Sequence, residues 1–141
     1  MIVEKLSTKI PNILFYNPAN TNIYKMIDRN KGSVIGEMHF SVRNDLYINS
    51  LDIDKNFRRQ GFGKRFLNFA RNLSKSLGLE GKLRVLAGAN IKDLQNPSFI
   101  FYRKYGFTSD NKETLKIIDE AIKNNTQIKD LNTPPIYMYY Q

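Results

Sequence analysis

The chain has no cysteine, no tryptophan and a single histidine, His39. Without cysteine there are no disulfides, no thiolate metal sites and no cysteine nucleophile, and one imidazole cannot build a histidine metal cluster. No metal is therefore expected, and any chemistry must use other groups. Long apolar runs are also missing: nothing approaches the ~18 consecutive apolar residues of a membrane span, and the first residues form neither a basic n-region nor an apolar h-region. A cytoplasmic location without membrane association is the expectation. Acidic residues are scarce too, 13 Asp and Glu against 22 Lys and Arg, which leaves a net charge of +9.

What is present suits one small domain. The 141 residues, 41% hydrophobic and 12% aromatic, supply enough apolar material for a single core, so residues 1–141 are expected to form one unit. The positive charge predicts attraction to polyanions, whether nucleic acid, an acidic membrane surface or a phosphorylated cofactor. Basic residues are densest from Lys55 to Arg65, which points to a local anion site rather than a general nucleic-acid surface.

The amino-terminal third reads as strands. Ile2-Val3, Ile13 to Tyr16 and Ile23 to Ile27 are short runs broken by Pro11, Pro18 and an Asn-rich loop. Val34 to Val42 and Leu46 to Ile53, joined at Asn44-Asp45, predict an antiparallel hairpin. The period then changes. Phe62, Phe66, Leu67, Ala70, Leu73 and Leu77 recur at helical spacing, with Lys64, Arg71 and Lys75 toward solvent and Gly78 and Gly81 at the helix end. Leu83 to Ala87 reads as a buried strand, parallel to the one before the helix. Asn96-Pro97 has the form of a helix start and Gly106 of a stop, which predicts a short helix over Ser98 to Tyr105. Phe107 opens another strand-like piece, Lys112 to Asn124 has helical spacing, and Ile136 to Tyr140 reads as an aromatic terminal strand. The fold class is α/β.

The stretch Leu51 to Leu67, a strand passing through Arg58-Arg59-Gln60-Gly61-Phe62-Gly63 into a helix, carries the most information. Its glycines let backbone approach a ligand, and the first helical turn aims free N–H groups and the positive end of a dipole at it. A P-loop is excluded, because Arg58 stands where its first glycine should be and Arg65 follows Lys64. The dinucleotide fingerprint fails as well, with Phe66 at its third glycine. What remains is Arg-x-x-Gly-x-Gly at a strand-to-helix junction.

Arg58-x-x-Gly61-x-Gly63, after Leu51-Asp52-Ile53 and before an amphipathic helix, resembles the acetyl-CoA pyrophosphate motif of the GNAT acetyltransferase superfamily. Phe101-Tyr102-Arg103-Lys104-Tyr105-Gly106-Phe107 is similar to the Tyr-x-x-x-Gly-Phe ending of the family's next helix. The resemblance implies a mixed, mostly antiparallel sheet whose parallel middle strands splay, flanked by helices. It also implies that backbone groups of Leu51, Asp52 and Ile53 hold the pantetheine arm, and that Arg58, Arg59, Gln60, Gly61, Phe62, Gly63 and Lys64 form the pyrophosphate site. Tyr102 matches the tyrosine that protonates the departing CoA thiolate. Asn96 and Ser98 lie near the cofactor end of the same helix, although the family's asparagine aligns better with Gln95 or Asn90.

The implied activity is transfer of an acetyl group from acetyl-CoA, as co-substrate, to a primary amine by direct attack. The acceptor would be a small molecule or a peptide. The general base stays open among Asp52, Glu37, His39 and water, and if Leu51 and Ile53 face the cofactor, alternation turns Asp52 to the other face. The alternative is a non-catalytic GNAT-like module that binds a polyanion such as nucleic acid. Pro11 to Asn22 is too short for the two helices that commonly wall the acceptor, so the helix at Lys112 to Asn124, or a second copy of the chain as a homodimer, could complete the pocket.

Overall fold

A computed structural model describes residues 12–88, 99–126 and 134–141. Its described strands form one six-stranded sheet in the order β1 (Ile13–Tyr16), β2 (Ile23–Asp28), β3 (Val34–Val42), β4 (Leu46–Ile53), β5 (Leu83–Ala87) and β6 (Ile136–Tyr140). Short turns join β1 to β4, so these neighbours run antiparallel, as do β5 and β6. β4 and β5 are parallel because the chain crosses between them through helix α1 (Phe62–Ser76). The hairpin, the crossover and the terminal strand all match the sequence expectation.

Helix α1 covers one sheet face. Phe62, Phe66, Leu67 and Ala70 are buried against it, and Phe15 of β1 stacks on Phe69 at 4.1 Å while meeting Phe66 edge-on at 5.4 Å. The helix stops at Gly78, whose φ of +79° suits a residue without a side chain, and Ser74 Oγ donates to the Lys82 carbonyl at 2.9 Å to anchor the return. Two positions depart from the expected pattern. Leu77 caps the helix and is exposed, while Arg71 is half-buried with its guanidinium 4.6 Å from the Tyr140 ring centroid. A cation over an aromatic face gains enough attraction to keep Arg71 folded inward.

Helix α2 (Phe99–Tyr105) lies beside α1, where the Tyr105 hydroxyl donates to Asn68 Oδ1 at 2.6 Å. Its expected start at Asn96-Pro97 lies outside the described residues. Helix α3 (Lys112–Lys123) is capped by Asn111, whose Oδ1 accepts from the Thr114 N–H, and it packs on α2. Arg103 ties the two with bonds to both Asp119 carboxylate oxygens at 2.9 and 3.2 Å. The strand-like piece after Phe107 reduces to one bridge between Thr108 and Tyr139.

Two irregularities shape the sheet. Ile35 is an extra residue on β3 opposite β2, and Asn49 is an extra residue on β4 opposite β3. The second reverses the phase of β4: Leu46 and Ile48 are buried before it, Leu51 and Ile53 after it. The parallel ladder reaches Ile48↔Val85, and among the described residues it continues no further along residues 49–53. The link from β1 to β2, residues 17–22, contains no helix.

Candidate functional site

The strand end and the helix start are joined by a turn locked from within. Asp54 Oδ1 accepts from the Asn56 N–H at 3.0 Å, and the Asp54 carbonyl accepts from Phe57 N–H at 2.8 Å, winding Lys55–Phe57 into a 3₁₀ turn. Arg58 Nε donates to the Ile53 carbonyl at 2.9 Å, which straps the turn to the last residue of β4. Arg59 takes φ +60° and Gly61 φ +83°, the left-handed region. That geometry swings the chain into α1. The Gly61 carbonyl accepts the first helical bond, from Arg65 N–H at 3.1 Å, so the N–H groups of Phe62, Gly63 and Lys64 belong to the helix's unpaired first turn.

This junction borders a cleft of about 610 Å³, lined by Ile53, Phe57, Arg58, Arg59, Gly61 and Phe62, with Gly63, Lys64, Phe101 and Lys104 closing it. Gly63 is needed for space and not for conformation. A Cβ there would lie 2.9 Å from the Phe101 ring, so only glycine lets α2 close down on α1 at the cleft wall. Four basic side chains, Arg58, Arg59, Lys64 and Lys104, stand around a helix amino terminus. Such a lining favours an anionic ligand with an apolar portion. Phe57, Phe101 and Lys104 were not singled out by sequence; Phe101 and Lys104 sit in the Tyr-x-x-x-Gly-Phe segment, but only the tertiary fold brings them to Gly63.

Two results should follow from this geometry. Arg58→Ala removes a charged donor from a half-buried carbonyl and is expected to cost about 2 kcal/mol of stability in urea unfolding. Gly61→Ala meets no neighbouring atom within 4 Å, so only its φ opposes it, and about 1–2 kcal/mol of destabilisation is expected in the same assay.

Tyr102 is 2% exposed, with ring centroids 5.2 Å from Phe101 and 5.1 Å from Phe107. Burial pushes its phenol well above the usual tyrosine range, and the nearby Asp52 charge pushes the same way. The hydroxyl therefore keeps its proton at neutral pH. Of the β4 residues, Leu51 and Ile53 are buried on the α1 side, and Asp52 points to the opposite side, directly across from Glu37 of β3. His39 Nε2 lies 3.5 Å from Glu37 Oε2. The turn residues thus share one cleft, whereas Asp52, Glu37 and His39 share the other sheet face. Gln60 lies in the turn and donates to the Asn56 carbonyl at 3.3 Å instead of lining the cleft. Asn96, Ser98, Gln95 and Asn90 lie outside the described residues.

Known structures share this architecture. A Bacillus anthracis str. Ames protein assigned as a streptothricin acetyltransferase, crystallised with acetyl coenzyme A, superposes with a TM-score of 0.57 at 23% identity over 89% of this chain. The chain spans 64% of that protein's length. A Bacillus subtilis acetyltransferase in complex with CoA matches with TM-score 0.57 at 13% identity, covering 94% of this chain and 99% of the other. Ard1 from Thermoplasma volcanium matches at 0.52 and 17% identity, over 84% of this chain and 69% of its own. At these identities the likeness is one of fold. No curated protein gives a significant sequence match. Residues 20–109, more than half of the chain, match the family described as acetyltransferase (GNAT) domain, and the chain belongs to the GNAT acetyltransferase family.

Proposed function

We propose that the protein is an acetyl-CoA-dependent N-acetyltransferase that passes the acetyl group directly to a primary amine. The observation that carries this reading is the continuity of the strand with the helix start: among the described residues the β4–β5 ladder reaches only Ile48↔Val85, and β4 then leads, through the turn strapped by Arg58, into the unpaired first-turn N–H groups of α1. The backbone at the end of a strand suits the amides of a pantetheine arm, and a cleft ringed by Arg59, Lys64 and Lys104 suits a pyrophosphate. Co-crystals of fold relatives with acetyl coenzyme A and CoA support the same ligand.

In this reading the backbone of Leu51, Asp52 and Ile53 orients the arm, and the turn from Arg58 to Lys64 holds the phosphates. Arg58 contributes mainly by fixing the turn, since its Nε is engaged with Ile53. Tyr102 gives its proton to the leaving thiolate, a task suited to a phenol that is protonated at neutral pH and sits in a dry environment. Asn96 and Ser98, just before that helix in the sequence, are proposed to contribute to the cofactor site. The test is a panel of primary amines, from small polyamines to peptides, incubated with acetyl-CoA while free CoA is followed. Amine-dependent CoA release is the expected result; release that no amine accelerates would contradict the reading.

A further inference from the structure

The cleft at the start of α1 carries more positive charge than a pyrophosphate uses. Arg58, Arg59, Lys64 and Lys104 line it, and no carboxylate stands among the described lining residues. Two nearby acids are engaged elsewhere: Asp54 accepts from the Asn56 N–H, and Asp119, the α3 carboxylate that meets α2, is bound by both Arg103 nitrogens. Lys104 is therefore not neutralised by the acid that takes its neighbour. It is exposed, and among the described residues it forms no ion pair. A pyrophosphate in diester linkage carries one charge on each phosphorus, and the unpaired first-turn N–H groups already supply donors for it.

Lys104 reaches this cleft by a different route from the other three cations. Arg58, Arg59 and Lys64 belong to the connecting turn and the first turn of α1, whereas Lys104 lies on α2, one turn after Phe101 and on the same helical face. Phe101 sits against Gly63, where the missing Cβ leaves it room. That contact brings Lys104 to the cleft as a separately anchored charge. Arg59 gives a second sign. Its φ of +60° is a conformation that glycine adopts without strain, so the backbone supplies no reason for an arginine at this position. Its side chain lines the cleft, while the Nε of Arg58 is committed to the Ile53 carbonyl.

We propose that Lys104 and Arg59 hold a third phosphate, the 3′-phosphomonoester of the CoA ribose, so that the cleft selects a nucleoside 3′,5′-bisphosphate end over a pyrophosphate alone. The assignment rests on the acetyl-CoA reading. A phosphomonoester carries about 1.5 to 2 negative charges at neutral pH and three acceptor oxygens, more than either phosphate of the diester pair. With the backbone donors given to the pyrophosphate, side-chain cations are what remain for it. The ammonium of Lys104, three donors on a flexible stem, suits an oxygen tripod better than a planar fork would. Phe57 and Phe101, both half-buried in the lining, offer ring surface to a base. A thioester on pantetheine without a nucleotide, as on a carrier protein, lacks both features and should be a poor donor.

Calorimetry on the whole chain tests this with CoA, dephospho-CoA, adenosine 3′,5′-bisphosphate and AMP as probes. CoA should bind about tenfold more tightly than dephospho-CoA, the scale of one charge-assisted contact. The readout is the ratio of the two Kd values, which a general weakening of the cleft would leave in place. Lys104→Gln should bring that ratio close to unity, whereas Lys104→Arg, which keeps the charge, should retain most of it. Arg59→Gly, a change its backbone conformation favours, should lower the ratio about threefold. Equal wild-type affinities for CoA and dephospho-CoA would overturn the third-phosphate site and leave the acetyl-CoA reading standing. A ratio that survives Lys104→Gln would overturn the role of Lys104, and one unchanged in Arg59→Gly that of Arg59. The fragments resolve the reverse case: adenosine 3′,5′-bisphosphate bound more tightly than AMP through Lys104, beside no binding of CoA or acetyl-CoA, would defeat the acetyl-CoA reading and keep the phosphate site. Binding of none of the four probes would overturn both.

Discussion

Tyr102→Phe is expected to lower kcat by about 10²–10⁴-fold, the usual worth of a positioned general acid, while the Kd for acetyl-CoA stays within about a factor of two. The separation follows from where the side chain sits. Tyr102 is buried between Phe101 and Phe107 and is not among the residues lining the cleft at the start of α1, so removing one oxygen leaves that lining and the ring packing in place. What is lost is a proton donor held ready in a dry environment. The direction of its pKa gives a further check: raised by burial and by Asp52, it keeps the phenol protonated up to and beyond the ordinary tyrosine value near 10. A basic limb of the wild-type pH profile below that value must then come from another group. Single-turnover kinetics with calorimetric binding separate the two quantities, and an unchanged kcat would make Tyr102 a packing residue only.

Gly36→Ala should be the most damaging small substitution, costing about 3 kcal/mol or more. Gly36 has an ordinary strand conformation, so the cost is one of space. A Cβ would lie 2.7 Å from the Asp52 carbonyl oxygen and 2.8 Å from Ile53 Cδ1. The carbonyl cannot step aside, because Gly36 is paired with Ile53 on one side and Met26 on the other, and Asp54 N–H bonds the Ile35 carbonyl at 2.8 Å. Any retreat of β4 also moves Ile53, which lines the cleft and anchors Arg58. The variant should therefore lose acetyl-CoA affinity together with stability. Urea unfolding and calorimetry on one preparation test this, and a wild-type unfolding midpoint would show that the strands yield at no cost.

Much of this arrangement is legible before any coordinates. The helical spacing of Phe62, Phe66, Leu67 and Ala70 reflects a single face against a sheet, and the turn chemistry at Gly61 is local to the chain. What escaped the sequence is tertiary. Arg58 reads as a charge for a ligand, yet its Nε is engaged with a carbonyl five residues back. Arg71 reads as solvent-facing because the Tyr140 ring that attracts it lies on a distant strand. Gly36 is a lone glycine among strand residues, a recognised sign of close backbone approach, but nothing local says that Asp52 is what approaches. The bulge at Asn49 has a faint trace in the apolar order Leu46, Ile48, then Leu51, Ile53, where a step of three replaces a step of two. That one residue decides which face Asp52 joins.

Isothermal titration of the chain with acetyl-CoA tests the central claim most directly, because every proposed role depends on the cleft at the start of α1 holding that ligand. A saturable heat with one site per chain, weakened in Arg58→Ala and Gly61→Ala, is the predicted result. No heat with acetyl-CoA at high micromolar concentration would contradict it.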